Sequence, residues 1–242
     1  MAACMVSTIA IAGISSKLAL RVVEELLKEP KLTIRGSCRK KAKLPPWLRD
    51  HSERISLIQT DPYDREALKK LVAGCDVVVC CYLADNDTMW SIQKLLIDLC
   101  EAEKVRRYIA SDYTADYTQL NYGDVMIKDP MKRVKAYLDD NSAIKGVHIL
   151  VGLLTETFLE LFGFWNEGEQ TLSYWGSGQE QWELTSYRTA AQYVAALALD
   201  EDAGGLLHCM CNYMIRNPSS HVVSSTTTVF ISPRLTIAQS QS

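Results

Sequence analysis

The sequence lacks the features that would place it at once among membrane or nucleic-acid-binding proteins. No stretch approaches the roughly 18 uninterrupted apolar residues of a membrane-spanning helix. Its 26 basic and 29 acidic residues nearly balance, so the composition gives no reason to expect binding to nucleic acid or to an anionic membrane. We therefore expect a soluble, cytoplasmic protein that binds neither nucleic acid nor a membrane directly.

Signals for metal binding are also missing. Eight cysteines are present, yet no two form a CxxC pair and no histidine stands at zinc-ligand spacing. Five of these cysteines lie in apolar, strand-like segments, namely Cys75, Cys80, Cys81, Cys209 and Cys211. We interpret them as reduced thiols that pack as small hydrophobic side chains, and we expect no metal site.

The sequence does contain a regular alternation of apolar, strand-like segments and amphipathic, helical ones. Strands are predicted at Val6–Ala12, Leu32–Cys38, Ile55–Gln59, Asp76–Tyr82, Arg107–Ala110 and Val147–Val151, and helices at Lys17–Lys28, Asp64–Val72, Met89–Glu103 and Pro130–Asp139. Strands joined through helices form parallel pairs, because the crossover needs the length of a helix. The order therefore predicts an α/β fold with a doubly wound parallel sheet.

The alternation changes after residue 152. The later part is predicted to contain the helices Leu153–Phe164 and Ser186–Leu199 and the strands Leu172–Trp175, Trp182–Thr185 and Gly205–Cys211. The two middle strands are expected to pair across the turn Gly176-Ser177-Gly178. We divide the chain into a sheet domain at residues 1–152, a shorter region at 153–216 and a polar, Ser/Thr-rich tail at 217–242.

The first predicted turn from strand to helix is a candidate phosphate loop. In doubly wound sheets this turn offers backbone N–H groups and a helix N-terminus to the phosphates of a dinucleotide. Against the spacing GxxGxxG, Gly13 keeps the first glycine, whereas Ser16 and Ala19 replace the second and third. The loop predicts cofactor contacts from Gly13, Ser15, Ser16, Lys17 and Leu18. The alternative is a turn with a structural role alone.

The end of the second strand indicates which dinucleotide would bind. An acidic residue here usually binds the ribose 2′-hydroxyl of NAD, whereas arginine accommodates the 2′-phosphate of NADP. The segment 33–41 has no carboxylate and ends in Arg39, Lys40 and Lys41. It favours NADP(H), with contacts from Arg39 and Lys40. The alternative is a basic loop on the surface with no ligand.

Four segments together carry a family resemblance. They are Ile11–Leu27, Ile55–Tyr82 with its Gly74-Cys75-Asp76, Gln93–Asp98 and Val105–Ser111. In this order, over roughly residues 5–210, the chain resembles the NmrA-like family of atypical short-chain dehydrogenase/reductases, related to isoflavone reductases, and in particular its fungal members. The resemblance implies a Rossmann domain at 1–152 that prefers NADP(H), and a shortened substrate-binding region at 153–216.

The same resemblance implies cofactor contacts from residues that follow the third, fourth and fifth strands. These are Asp61, Cys81, Tyr82 and Ser111. Asp61 has two interpretations: it lies on the adenine side of the cofactor, or it caps the following helix. Cys81 follows an apolar run, which argues for an unreactive thiol whose backbone is what approaches the cofactor.

Candidate catalytic residues are harder to identify. No tyrosine is followed four residues later by lysine, which is the pair that many short-chain dehydrogenases use. The isoflavone-reductase branch instead uses a lysine that opens the helix after the fifth strand, where this chain has Met131 with Lys132 one place on. We predict Lys132 and Tyr113 as catalytic residues, and Lys128 and Lys135 stay open as further candidates.

The long segment Ser111–Asp129 with its three tyrosines is predicted to form a lip over the site; the alternative is a surface loop whose tyrosines cover apolar area. His148 and His208 lie in apolar, strand-like runs without a carboxylate nearby in sequence, and are interpreted as core or edge residues.

The resemblance implies an NADP(H)-dependent oxidoreductase that acts on a small, aromatic or polyketide-type metabolite. Two alternatives are a non-catalytic NAD(P)-binding regulator that senses redox state, and a redox-neutral isomerase, lyase or cyclase on the same fold. Because the region at 153–216 is short, we expect either an open pocket or a homodimer in which the second copy supplies the missing cover.

Overall fold

The computed structural model of the protein describes residues 6–141, 143–161, 165–166, 168, 171–174, 182–209, 212–213 and 227–230. Its strands are β1 Thr8–Ala12, β2 Thr33–Cys38, β3 Ile55–Gln59, β4 Val77–Cys80, β5 Arg107–Ile109, β6 Lys145–Leu150, β7 Leu153–Leu154, β8 Trp165–Asn166, β9 Thr171–Tyr174, β10 Trp182–Thr185, β11 Gly205–His208, β12 Asn212–Tyr213 and β13 Thr227–Phe230. Its α-helices are α1 Lys17–Leu26, α2 Trp47–Asp50, α3 Arg65–Val72, α4 Asn86–Ala102, α5 Asp129–Asp139, α6 Thr155–Leu161 and α7 Tyr187–Leu199.

Seven parallel strands form the central sheet, in the order β11-β6-β5-β4-β1-β2-β3. The chain starts in the middle at β1, builds outward through β2 to β3, and then returns to β4 on the other side of β1. This reversal creates a crevice between the carboxyl ends of β1 and β4, the usual ligand position in open α/β sheets. The predicted α/β, doubly wound fold is confirmed.

Each face of the sheet packs against its own helices. On one face Ile9 and Ile11 belong to the same buried cluster as Val22 of α1 and Val194 of α7. On the other face the alternate residue Ala10 packs with residues of α3, α4 and α5. The period of two along β1 therefore divides the core into two layers, as expected of a strand buried on both faces.

The helix and strand boundaries follow from local capping. Asp85 accepts a hydrogen bond from Thr88 N at 3.0 Å, so α4 begins three residues before the predicted start at Met89. Asp64 accepts from Ala67 N at 3.0 Å and likewise fixes the start of α3. The predicted strand Asp76–Tyr82 is shorter in the structure, where β4 covers only Val77–Cys80.

Two predictions for the later part of the chain are wrong. The segment predicted as a helix from Leu153 opens with the short strand β7 before α6 begins, and its last residues 162–164 lie outside the described part. The predicted hairpin does not form: β10 pairs with β7 and β12, whereas β9 pairs with β8 and β13. β9 and β10 therefore do not pair with each other, and apolar alternation alone did not reveal their partners.

The predicted polar tail and last strand also differ in detail. The strand predicted at Gly205–Cys211 is β11, and it ends at His208. The tail predicted at 217–242 contributes β13, which pairs antiparallel with β9. The other residues of this tail, 217–226 and 231–242, lie outside the described part.

Two elements from the region predicted at 153–216 pack with the first domain. β11 extends the central sheet beside β6, and α7 packs against α1. The guanidinium of Arg107 in β5 donates to the carbonyl oxygens of Leu197 and Ala198, both at 2.8 Å, and to that of Asp200. This buried arginine satisfies the last carbonyls of α7, which have no partner within the helix itself. The functional division at residue 152 stays a prediction.

Of the cysteines predicted to pack as hydrophobic side chains, Cys75, Cys80 and Cys81 are buried, Cys209 is half-buried and Cys211 lies outside the described part. The described ones are free, and Cys75, Cys80, Cys81 and Cys100 are all buried. Burial raises the pKa of Cys75 and Cys80 to about 11 and that of Cys81 to about 12, so these thiols are protonated and unreactive at neutral pH. Within the described segments no group of histidine, cysteine or acidic side chains could hold a metal ion. None of the helices in those segments could cross a membrane.

A carboxylate joins the amino ends of three strands. Asp76, just before β4, accepts hydrogen bonds from Ser7 N at 2.8 Å and Thr8 N at 3.1 Å, and Arg106 donates to it at 2.6 Å. Burial alone would raise the pKa of Asp76, but these hydrogen bonds outweigh it and hold the pKa below its ordinary value. The ionised form of Asp76 therefore stabilises the folded sheet.

We predict that Asp76→Asn lowers the free energy of unfolding by about 1–2 kcal/mol at pH 7, because the charge-assisted hydrogen bonds are lost. A carboxyl with a lowered folded pKa stabilises above its ordinary pKa of 3.8 and loses that contribution as the pH falls through the folded value. The difference between wild type and variant should therefore shrink between pH 5 and pH 3 in urea denaturation. Asp140→Asn, at an exposed carboxyl, is the control; a pH-independent difference would contradict this role of Asp76.

Candidate dinucleotide-binding site

The turn that follows β1 has a conformation that only glycine tolerates. Gly13 has φ +82°, and a Cβ added there would lie 3.0 Å from both Cys81 O and Tyr82 Cδ1. The turn is also tied to β2, since Ile14 N donates to Ser37 O at 2.9 Å and Gly13 N to Ser37 Oγ at 3.3 Å. The turn is thereby fixed between the carboxyl ends of β2 and β4.

The side chain of Ile14 lies on the backbone of β2. A Cβ on Gly36 would come within 2.3 Å of Ile14 Cδ1, and Ile14 itself is completely buried. The glycine of β2 is therefore required for the loop to pack onto the sheet. The sequence analysis assigned no role to Gly36, because one glycine in a strand does not show which side chain approaches it.

The serine in the second glycine position caps the helix. Ser16 Oγ accepts a hydrogen bond from Ala19 N at 3.1 Å, and Ser16 O accepts from Leu20 N. The N–H groups of Lys17 and Leu18 belong to the first helical turn, whose donors have no partner within the helix. The serine therefore still leaves two backbone donors and the positive end of α1 for an anion.

The other residues predicted for this loop lie on its open side. Ser15 is exposed, and Lys17 extends into solvent, where its ammonium is 3.3 Å from Glu160 Oε2 of α6. Both partners of this ion pair are about 70% exposed, so the pair contributes little and does not withhold Lys17 from a ligand.

Tyr82 and Cys81 form the β4 side of the loop. The ring of Tyr82 lies against Gly13, and its hydroxyl is within hydrogen-bonding reach of Ser37. Burial raises the pKa of the Tyr82 hydroxyl above its usual range. Cys81 turns its thiol into the core and its carbonyl oxygen toward Gly13. Of the two, Tyr82 therefore offers a side chain to a ligand, and Cys81 offers only backbone.

The structure places the predicted adenosine-side residues together. Arg39 and Lys40 are exposed directly after β2, and Asp61 is exposed after β3. The hydrogen bond from Thr60 N to Cys38 O, at 3.0 Å, holds the two strand ends side by side. Asp61 accepts from Tyr63 N at 3.0 Å, and it is Asp64 that caps α3, so the capping interpretation of Asp61 is wrong.

Ser111 links the ends of β4 and β5. Its hydroxyl donates to Tyr82 O at 2.7 Å, and its N–H donates to Gln93 Oε1 of α4 at 3.0 Å. Gln93 is completely buried and also accepts from the hydroxyl of Tyr108 at 3.3 Å. The cofactor-binding prediction for Ser111 thus falls on a residue that is fixed at the same sheet edge as Gly13.

The side chain of Tyr113 is packed into the core. Its backbone has φ +35°, and its buried hydroxyl donates to Cys80 O at 3.0 Å. Burial raises the pKa of this hydroxyl well above its ordinary value. The hydroxyl is thus directed at the backbone of β4, and the catalytic role of Tyr113 stays a prediction.

The three lysines around α5 have different surroundings. Lys132 is nine-tenths buried, with its ammonium 3.6 Å from Asp129 Oδ1 and 4.8 Å from the ring centre of Tyr122. The ammonium has no hydrogen-bond partner among the described residues. Lys135 instead pairs with Asp139 at 2.5 Å. Lys128 donates to Thr114 Oγ1, and burial lowers its pKa.

The structure reveals a buried polar group that the sequence analysis missed. Asp112 Oδ2 lies 2.6 Å from His148 Nδ1 and accepts from the hydroxyl of Tyr117 at 2.9 Å. All three side chains are buried, and within the described residues His148 Nε2 has no partner. A protonated Nε2–H would be a buried donor with no acceptor, so we assign His148 as the neutral tautomer with its proton on Nδ1.

The sequence contains all three residues, but recognising them as one group requires the order of the strands in the sheet. His148 lies in β6, and Asp112 follows β5, which is the neighbouring strand. A carboxylate 36 residues away in sequence is therefore adjacent in space. His208, interpreted as a core or edge residue, is on the edge strand β11 and lies 3.7 Å from Asp116.

These contacts anchor the first half of the predicted lip. Thr114 forms a bridge to Leu150 and accepts from Val151 N at 3.1 Å. The second half is exposed and includes a short 3₁₀ turn at Met126–Lys128. Of the three tyrosines of the lip, only Tyr122 lies on the surface.

The described groups fit a dinucleotide along this open edge of the sheet. Backbone donors at the start of α1 suit a pyrophosphate, the exposed Arg39 and Lys40 suit a further phosphate, and the unpartnered ammonium of Lys132 suits an oxygen acceptor. Two surface hollows of about 320 and 290 Å³ lie elsewhere, beside Tyr137 and Leu48 respectively.

We predict that Tyr117→Phe lowers the free energy of unfolding by about 1–3 kcal/mol, because Asp112 loses a buried donor. Tyr122→Phe, at an exposed ring, should change it by less than about 0.5 kcal/mol. Urea denaturation at pH 7 measures both. Equal effects of the two substitutions would show that the buried group does not anchor the lip.

Comparison with known proteins agrees with this geometry. Residues 13–200 match the model of a family described as NAD(P)H-binding. No curated protein matches the sequence. Among solved structures, the chain is similar to AtPrR2 with NADP⁺ and (+)-pinoresinol, with a TM-score of 0.68, 15% identity, and coverage of 84% of this chain and 69% of that one.

Two further structures share the fold. An isoflavone reductase has a TM-score of 0.66 and 16% identity, over 84% of this chain and 69% of its own. A nucleoside-diphosphate-sugar epimerase from Staphylococcus aureus has a TM-score of 0.65 and 14% identity, over 83% and 70%. At these identities the likeness shows the fold alone. The family match covers most of the chain and begins at the glycine of the phosphate loop: the chain belongs to the NAD(P)H-binding family.

Proposed function

We propose that the protein is an NADP(H)-dependent oxidoreductase of the NmrA-like type that acts on a small, aromatic or polyketide-type metabolite. The observation that carries the proposal is the turn at Gly13, which is fixed between β2 and β4 and leaves the first donors of α1 open. The backbone of residues 13–18 would hold the pyrophosphate, with Ser15 and Lys17 on the open side of the turn.

The preference for NADP(H) rests on charge. In such sheets the adenosine ribose lies at the end of the second strand, where Arg39 and Lys40 are exposed. Asp61, at the end of the next strand, is the one carboxylate that we predict to contact the cofactor. A 2′-phosphate gains charge-assisted hydrogen bonds from the guanidinium and the ammonium. Asp61 and Tyr82 would contact the cofactor from the ends of β3 and β4, Asp61 on the adenine side.

Lys132 is the residue we assign to proton transfer. When bound, the cofactor supplies the hydride, and the ammonium of Lys132 binds the substrate oxygen and donates a proton to it. The ring of Tyr122 lies 4.8 Å from this ammonium, so a substrate bound at Lys132 would contact Tyr122. Ser111 holds the ends of β4 and β5 together beneath this position.

The known structures with this fold support the proposal to different degrees. AtPrR2 was solved with NADP⁺ and (+)-pinoresinol, which is consistent with an aromatic substrate. The epimerase shows that the same fold occurs in an isomerase, which keeps a redox-neutral reaction as an alternative. A non-catalytic regulator is the second candidate, because the Tyr113 hydroxyl is directed at a backbone carbonyl and Lys132 is covered.

We predict that NADPH quenches tryptophan fluorescence saturably and binds more tightly than NADH. Arg39→Ala should raise the dissociation constant for NADPH by at least about tenfold and leave that for NADH within about twofold, since only NADPH carries the 2′-phosphate. Arg49→Ala, in the nearby helix α2, is the matched control. Equal effects of Arg39→Ala on both cofactors would show that Arg39 does not contact the 2′-phosphate. The absence of saturable binding by either cofactor would refute the proposed function.

Turnover separates the enzyme from the regulator. We predict oxidation of NADPH, followed at 340 nm, with at least one member of a panel of aromatic ketones, aldehydes and quinones. Lys132→Ala should lower kcat by about 10²–10⁴, the usual contribution of a general acid, and Lys135→Ala should not change it. NADPH binding without turnover on any member would favour the regulator.

A further inference from the structure

The start of α5 combines positive charge with exposed apolar side chains, and we infer that it binds the oxyanion of an apolar molecule. This inference rests on the proposed function: the oxyanion takes the place at Lys132 that the substrate oxygen occupies there, which narrows the ligand to a carboxylate or phenolate attached to an apolar body. Lys132 is the ionic anchor, and the exposed half of the lip provides the apolar contacts.

The ammonium of Lys132 lacks the hydrogen bonds that a buried charge needs. It is nine-tenths buried, and none of its three donors finds an acceptor in the part of the chain that the structure describes. Asp129 Oδ1, at 3.6 Å, is beyond hydrogen-bond distance, and the Tyr122 ring offers only a cation–π contact. A buried charge with unsatisfied donors destabilises the protein, so a ligand that supplies an acceptor to this ammonium gains binding free energy from it.

The hydrogen bonding of the nearby carboxylates favours an anionic ligand over a neutral acceptor. The carboxylate of Asp129 already accepts from Gly123 N, at 3.1 and 3.2 Å, and it lies at the first residue of α5, where the helix dipole stabilises negative charge. The other carboxylate of this corner, Asp112, accepts from His148 and Tyr117. Neither carboxylate forms a hydrogen bond with the ammonium of Lys132, so the oxyanion of a ligand would add a charge-assisted hydrogen bond that the described residues do not supply. Such a bond is stronger than one to a neutral acceptor.

The surroundings fit an apolar body attached to that oxyanion. In the lip Tyr122, Met126 and Ile127 are each 60–68% exposed. The side chain of Asn86, at the start of α4, donates to Met126 O at 3.0 Å and keeps the lip beside the loop that follows β4, where Leu83 is 93% exposed. Exposed apolar side chains around one ionic anchor mark a ligand site for an amphipathic anion.

Competing ligands fit less well. A small hydrophilic anion would use Lys132 but leave the apolar side chains in water. A neutral apolar molecule would cover those side chains but leave the ammonium without an acceptor. A second copy of the chain could also cover the lip, and the experiment has to separate that outcome.

Calorimetric titration with three matched probes tests the inference. They are 4-phenylbutyrate, its neutral amide 4-phenylbutanamide, and acetate, which has no apolar body. With the protein saturated in NADPH, the carboxylate should bind at least about tenfold more tightly than the amide, and acetate should bind most weakly. A titration with 4-nitrophenolate then distinguishes a phenolate from a carboxylate preference.

Two variants test whether Lys132 causes the preference for the carboxylate over the amide. Lys132→Met keeps the apolar length of the side chain and should bring the carboxylate and amide to within about twofold of each other. Lys135→Met, one turn on and paired with Asp139 at the surface, should retain the tenfold difference. Lys132→Gln serves as a second variant if circular dichroism shows that Lys132→Met does not fold.

Several results would overturn the inference. They are equal binding of amide and carboxylate by the wild type, a carboxylate preference that survives in Lys132→Met, or a dimer in sedimentation that excludes all the probes. The NADPH titration is read separately. Saturable NADPH binding without carboxylate selectivity therefore rejects this inference alone, whereas loss of NADPH binding rejects the proposed function.

Discussion

The site depends on the left-handed turn at Gly13. Its position is set from two sides: the backbone of Cys81 and the ring of Tyr82 leave no room for a side chain, and Ser37 accepts hydrogen bonds from both Gly13 and Ile14. Because β1 lies between β2 and β4, these contacts bring the ends of three strands together. The first turn of α1 starts from this point with its donors directed at the crevice, so the sheet order and the anion site are consequences of one arrangement.

A second arrangement lies on the other side of the crevice, next to the residues proposed for catalysis. Asp112, Tyr117 and His148 form a buried polar group that joins the lip to β6, and Thr114 reinforces it through Leu150. Half of the lip is thereby buried with the core, whereas the half around Tyr122 is exposed, with the Tyr122 ring against the ammonium of Lys132. In the function proposed above, the buried half supports the cofactor site and the exposed half contacts the substrate.

Much of the fold could be predicted from sequence, because burial on both faces of a strand and on one face of a helix leaves a local pattern. The strands from β1 to β6 and the apolar stripe of α1 are examples. The strands after residue 152 show the limit: β9 and β10 alternate like a hairpin but take other partners, since pairing depends on the whole sheet. The cap of α3 is Asp64 and not Asp61, three residues earlier, and the sequence pattern alone does not distinguish these two aspartates.

The candidate site could be predicted only in part, because several of its contacts join residues that are distant in sequence. The glycine and the first turn of α1 are contiguous, so their spacing in sequence was enough to predict a phosphate loop, whereas the capping of α1 by Ser16 became visible only in the structure. Tyr113 follows β5 as a catalytic residue should, but its positive φ turns the hydroxyl into the core. The carboxylate beside His148 is that of Asp112, which follows the neighbouring strand β5.

A crystal structure with NADPH tests the account most directly: we predict the pyrophosphate over residues 13–18 and the 2′-phosphate beside Arg39, whereas NADPH bound anywhere else would contradict it.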